Sequence, residues 1–296
     1  MKRSILGVLL VLTFVAVGIA SAPPLTFTFS DVHANKTAIE TDSYAVNNAG
    51  VIAGDYIDSA GVQHGMILAG KKLTTIDNKS CSSSISFYGI NSAGTLAGWC
   101  FNSAGNPIGF TWAKGKFTNL KYPKAVGTEG IGINDKGDVV GLFLDSSGVS
   151  HGYLFSNKKY TEINVKGASN SDAWAINNAG EITVSGGTSV SSGQLLCPCT
   201  SFLLKGKKFT PVADPNQGSD GTGIHGVNNK GDIDGTYYDS AANRHGFLLH
   251  GGKYYDVNDP NGPTATRADG INDSLEMVGR YTNSAGGTLG FKATTK

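Results

Sequence analysis

The sequence predicts an all-β, six-bladed β-propeller, closed by an N-terminal strand that completes the last blade. Three observations lead there. The first is a ten-residue phrase, clearest as Gly132-Ile133-Asn134-Asp135-Lys136-Gly137-Asp138-Val139-Val140-Gly141, whose Asn recurs at positions 47, 91, 134, 177, 228 and 272. The spacings of 44, 43, 43, 51 and 44 residues mark one supersecondary unit copied along the chain. The second is that each copy holds four short apolar runs separated by turn signals, the size of a propeller blade. The third lies at the two ends. The sixth copy stops after its third strand, Gly290-Phe291-Lys292-Ala293, while Phe29-Ser30-Asp31-Val32 matches Tyr254-Tyr255-Asp256-Val257, the fourth strand of the fifth copy. A head-to-tail closure removes the exposed edges of an open sheet.

The N-terminal segment is read apart from the repeats. Lys2 and Arg3 precede an apolar run from Ile5 to Ile19, and Ala20-Ser21-Ala22 suits signal cleavage. Residues 1–22 therefore read as a secretory signal peptide and residues 23–296 as a single domain. No other stretch is apolar enough to cross a bilayer, so no membrane contact is expected after signal removal. Charge is balanced, with 24 Lys+Arg against 23 Asp+Glu, and no basic stripe points to nucleic acid. Export permits disulfides. Cys81 and Cys100 flank the second Asn and would lie on adjacent strands if those flanks pair. Cys197 and Cys199 sit in the one oversized copy, as a staple or a reactive pair, and none of the four has zinc-like spacing.

The third copy shows the unit strand by strand. Residues 130–134 form a short strand, and Asn-Asp-Lys-Gly turns the chain, with Asn favoured early in the turn and Gly137 able to take positive φ. Residues 138–144 alternate as a second strand. Asp145-Ser-Ser-Gly148 turns again, with counterparts beginning at Asp58, Asn102, Asp239 and Asn283. A third strand follows from His151 to Phe155, and a fourth from Tyr160 to Ile163. Two copies depart. In the sixth, Leu275 replaces the turn glycine and predicts a different turn. In the fourth, Val184 replaces the second glycine, and Ser185 to Gly193 reads as a protruding loop.

The phrase [Ala/Gly]-[Ile/Val]-Asn-[Asn/Asp/Ser]-x-Gly, followed by His-Gly-[Phe/Tyr] as at His151-Gly152-Tyr153 and His245-Gly246-Phe247, resembles the HAF-type extracellular repeat family of bacteria. The resemblance covers essentially the whole chain after the leader. It implies a secreted bacterial protein, extracellular or periplasmic, with a propeller fold, and it implies almost nothing about chemistry.

No nucleophile elbow, zinc motif or phosphate loop is present. The six repeated Asn residues read as turn formers. His64, His151 and His245, at one third-strand position, read as packing or hydrogen-bonding residues of the repeat. Function is expected where the copies differ, at the mouth of the central channel. Three residues before each Asn stand Tyr44, Tyr88, Ile131, Trp174, His225 and Asp269, and just upstream stand Asp42, Glu129, Asp172 and Asp220. Converging carboxylates raise one another's pKa unless a cation joins them. Asp42, Glu129, Asp172 and Asp269 thus read as ligands for Ca²⁺, with Tyr44, Tyr88 and Trp174 binding the ligand. His225 and Asp269 would be the catalytic pair.

Two functional classes follow. One is a calcium-dependent hydrolase of small esters or lactones, analogous at fold level to secreted lactonase and paraoxonase propellers. The other is a non-catalytic module that binds glycans or a cell surface. The asymmetry of the mouth favours one central small-molecule site and with it the hydrolase, the binding module being the alternative, and the protein is expected to act as a monomer.

Overall fold

The computed structural model describes residues 25–296, apart from residues 188, 192–193 and 197–199. The expected signal peptide and the pair Cys197 and Cys199 lie outside the described residues. From residue 27 onward the described chain is strand and turn. In the third repeat the strands are Gly127–Ile133, Val139–Leu144, Ser150–Ser156 and Lys159–Ile163, paired antiparallel in order. The first strand begins three residues earlier than the apolar pattern suggests, because Gly127, Thr128 and Glu129 already pair with Leu144, Phe143 and Leu142.

Meanders of this kind follow one another and pack side by side into an all-β propeller. They form four separate four-stranded sheets and one eight-stranded sheet. The expectation of six separate sheets is corrected at one junction, where the second and third repeats join through a parallel bridge between Thr128 and Ile108. Gly109 beside that bridge has no Cβ, so the backbone of Thr128 to Gly130 can come close. At the seam, Phe27–Val32 pairs antiparallel with Thr288–Thr295, Phe29 opposite Ala293 and Val32 opposite Gly290. The last sheet is therefore finished by the N-terminal strand.

The core lies between neighbouring sheets. The residue after the His-Gly pair, or its counterpart, is fully buried there: Met66, Phe110, Tyr153, Phe247 and Phe291 each have 0 % exposure. Burying an aromatic of this size stabilises by about 3 kcal/mol. The oversized fourth copy is more ordered than a loop. Glu181–Gly187 continues as strand, and Ser189–Ser191 pairs with Gln194–Leu196 as a two-stranded hairpin, which satisfies backbone groups that a loop would leave to solvent.

Each repeated Asn does the turn chemistry expected of it. Oδ1 of Asn134 accepts from the backbone N–H of Lys136 and Asp138, both at 3.0 Å, and Gly137 follows at φ 81°. Leu275 corrects the expectation for the sixth copy. It adopts the same left-handed conformation, φ 60°, because Asn272 holds the same two N–H groups, those of Ser274 and Glu276.

The Asn residues also do something the turn pattern does not announce. Nδ2 of each donates to the backbone carbonyl of the next Asn along the ring: 47 to 91, 91 to 134, 134 to 177, 177 to 228, 228 to 272, and 272 back to 47. The six distances lie between 3.0 and 3.3 Å. A second circuit runs beside it, in which side-chain oxygens of Asp135, Asn178, Asn229, Asp273 and Asn48 accept the backbone N–H of the preceding repeat's counterpart.

Asn91→Asp separates the two roles. The carboxylate keeps the turn acceptor but loses the Nδ2 donor to Asn134. Melting or denaturant curves should show a loss of about 1–3 kcal/mol, the cost of an unsatisfied buried partner. A variant as stable as wild type would mean that the circuit contributes nothing.

Candidate functional site

The innermost strand of each repeat carries a register shift in its ladder at the position three before the Asn. The shifts fall between Ser43 and Ala45, Phe87 and Gly89, Gly130 and Gly132, Ala173 and Ala175, Ile224 and Val227, and Ala268 and Gly270. A bulge re-aims the extra residue. This is why Tyr44, Tyr88, Ile131, Trp174, His225 and Asp269 line the channel. Beneath them a ring of Val46, Ile90, Ile133, Ile176, Val227 and Ile271 divides the axis into two chambers, each of about 90 Å³.

The upper chamber is packed with its own side chains. Tyr44 and Tyr88 stack with ring centroids 4.1 Å apart, and His225 meets Trp174 edge-on at 5.7 Å. The predicted ligand-binding aromatics therefore spend much of their surface on neighbours.

The predicted metal ligands are not brought together. Asp42 lies 3.0 Å from Arg280, which also donates to the Tyr44 hydroxyl at 2.9 Å. Asp269 takes Nε of Arg267 at 2.5 Å. Glu129 meets the charge of Asp172 from the neighbouring inner strand. Among the described residues, no group of three or more His, Cys, Asp or Glu side chains is placed to hold a metal ion. The four acids expected to hold Ca²⁺ therefore do not form one cluster among the described residues. Two of the carboxylates, Asp42 and Asp269, are paired with guanidinium groups instead.

Protonation does the rest. Burial, and then Asp42, pushes the Asp55 carboxyl up to about 8. Burial, and then Asp269, does the same to Asp234, also to about 8. Burial lifts Asp172 to about 7 and lifts Glu129 well above the carboxylate range, with Asp172 adding to it. Burial also raises Asp269, but Arg267 and Arg280 outweigh it and hold that carboxyl below its usual value.

The expected catalytic pair sits in the same buried surroundings. Burial, reinforced by Arg267, depresses His225 to about 3, and its Nδ1–H donates to the Ala268 carbonyl at 2.7 Å. A general base works best when its pKa lies near the operating pH, and both shifts carry this pair, 3.9 Å apart, away from neutrality.

Sequence reasoning missed the arginines. After Arg3, arginine occurs only at 244, 267 and 280, and that confinement to the last two repeats in a Lys-rich chain was the available signal.

Outside the channel, the three repeated His residues share one construction. Nε2 of His64, His151 and His245 lies 3.3, 3.3 and 3.2 Å from Oδ2 of Asp58, Asp145 and Asp239. Each ring stacks on an aromatic, Tyr56, Phe143 or Tyr237. Where the His is replaced by Ile108 or Leu289, the turn acid is Asn102 or Asn283. Both residue types serve the turn through Oδ1; only the acid offers the His a charged partner.

Beside His64 a groove of about 500 Å³ opens between the first and second repeats. Gln63, Asp77, Asn78 and Ser82 line it, with Val62 and Cys81 as apolar wall. Asp77 accepts from Nδ1–H of His64 across 2.8 Å and is 63 % exposed. A disulfide between Cys81 and Cys100, Cα atoms 5.6 Å apart, pins the groove's far wall.

Comparison with solved structures places this fold. An Aleuria aurantia lectin, in complex with Fucα1-6GlcNAc, is similar with a TM-score of 0.55 and 10 % identity, over 88 % of this chain and 96 % of that one. The β-propeller domain of the Trilobed protease from Pyrococcus furiosus is similar with a TM-score of 0.51 and 10 % identity, over 88 % and 95 %. TolB from Acinetobacter baumannii gives 0.52 and 11 %, over 82 % and 63 %. The shared feature is the propeller fold. Neither a protein-family model nor a curated protein matches the sequence.

The buried acids set a pH dependence. Folded Asp55 keeps its proton up to about pH 8, whereas an unfolded Asp loses it near pH 3.9. The native state therefore binds more protons in that window, and its stability falls as pH rises from about 4 to 8. Asp234, Asp172 and Glu129 act in the same sense. So does His64, which Asp77 and Asp58 raise against the opposing effect of burial. His225 opposes them below about pH 6.5. In Asp55→Asn the decline should flatten, by at most about 1.4 kcal/mol per pH unit. Unfolding midpoints from pH 5 to 8 that run parallel for the two proteins would refute the assignment.

Proposed function

We propose that this protein is a secreted bacterial glycan-binding module without turnover, a monomeric propeller of the HAF-repeat type. The observation that carries the reading is a contrast of volumes. Small-molecule sites typically measure about 300–1,000 Å³. The groove between the first two repeats, at about 500 Å³, falls in that range, while each axial chamber holds about 90 Å³. The groove's amide, carboxylate and hydroxyl groups, set beside the exposed Val62, suit a ligand with both hydroxyls and C–H faces.

Counting the eight-stranded sheet as two blades, joined only at Thr128 and Ile108, gives six blades in all. A solved Aleuria aurantia lectin is described as a six-bladed β-propeller with a novel fucose recognition mode. The leader at residues 1–22 and the Cys81–Cys100 disulfide support export, since disulfides persist in oxidising compartments. A calcium-dependent hydrolase is the weaker reading, because two of its four expected ligands, Asp269 and Asp42, are engaged by Arg267 and Arg280.

The test is a glycan array on the leaderless protein, followed by calorimetry on any hit. Asp77→Ala and Val62→Glu should each weaken binding about tenfold, the loss of one charge-assisted hydrogen bond or of the apolar wall. Turnover of an ester or lactone panel, with no glycan bound, would overturn the proposal.

A further inference from the structure

The largest cavity among those described lies elsewhere, at the seam where the two ends of the chain meet. It measures about 870 Å³ and runs between the segment after the N-terminal strand and the first repeat. Its floor is apolar: Val32, Ala34, Ile52 and Leu68, with Leu289 at one end. Val32, Ala34, Ile52 and Leu68 belong to the core cluster that joins the last sheet to the first.

The rim is basic. Lys36 stands on the segment leading into the first repeat, Lys71 on the turn between its third and fourth strands, and Lys292 on the strand that pairs with the N-terminal one. Lys292 is engaged by Glu276 at 3.2 Å, and His33 lies 4.0 Å from Asp31. Among the described residues, Lys36 and Lys71 make no ion pair. Two ammonium groups without an ion pair therefore line one apolar-floored groove, with Asp31 as the acid among its lining residues.

We propose that this seam groove binds a single-chain anionic amphiphile, with the carboxylate between Lys36 and Lys71 and the alkyl chain along Val32, Ala34, Ile52 and Leu68. The occupant follows from charge complementarity joined to the floor. A sugar would leave the apolar floor covered by hydroxyls, and a neutral chain would leave both lysines without an anion. The site is independent of the groove beside His64. Occupation would also clasp the N-terminal strand to the first repeat, so ligand binding should stabilise ring closure by mass action.

The probe is decanoate below its micellar concentration, with acetate, octanoate and decanol as comparisons, read by calorimetry and by the melting temperature of the leaderless protein. Decanoate should bind saturably at one per chain and raise the melting temperature. Octanoate should bind more weakly, by about threefold to fourfold for each methylene removed, and acetate and decanol should bind at least about tenfold more weakly than decanoate. Lys36→Gln with Lys71→Gln should lower decanoate affinity at least about tenfold, and the paired Lys→Arg replacements should retain it. Both lysines are exposed, so the variants should fold. Decanoate binding no tighter than decanol, or unchanged in the Gln double variant, would overturn the site. So would a concentration-dependent dimer that Leu289→Glu disperses, with no decanoate bound, since the groove would then hold a second copy.

Discussion

Six asparagine side chains hold this molecule in a ring. Each binds two backbone N–H groups of its own turn and donates to the carbonyl of the next repeat, and the circuit ends where it began, Asn272 donating to Asn47. Asn is suited to this because one planar group carries an acceptor and a donor. Asp supplies only the first, and Ser cannot span both. The arrangement converts a local preference into a global constraint, since no turn can drift without leaving a buried neighbour unsatisfied.

The rest of the channel follows from that constraint. With the turns fixed around the axis, the bulge in every innermost strand must throw its extra residue inward. The result is a narrow, self-filled axis rather than a broad cavity. It concentrates acids from several repeats, and the protein manages them by two means. Where Arg267 and Arg280 reach, they pair with Asp269 and Asp42. Where no arginine reaches, as at Glu129 and Asp172, burial keeps the proton on. Both means draw on the chain's own groups. The grooves between repeats, by contrast, hold more space.

Much of the fold was legible in the residues themselves. The Asn spacing, the Gly turns and the match between residues 29–32 and the fifth copy's fourth strand lead to the closed arrangement seen at the seam. The disposition of Tyr44, Tyr88, Trp174, His225 and Asp269 around the axis was legible too. Their partners were not. Arg280 sits on a second strand, eight residues past its Asn, and reaches Asp42 from the opposite end of the chain, a separation that no local pattern encodes. The pairing of Asp58, Asp145 and Asp239 with His64, His151 and His245 was written in the sequence as a covariation across the copies, and became readable once the second turn was seen to face the third strand.

The sequence by itself determined the repeated unit, its turns, its buried aromatic and the order of its strands, because these depend on residues within about forty positions of one another and on backbone chemistry that each copy restates. Tertiary structure alone decided the fusion of two sheets at Gly109, the size of the axis, the charge state of its acids and the two grooves. Those depend on which side chains from distant copies occupy the same small volume, where burial and a neighbour's charge, rather than residue type, set what each group can do.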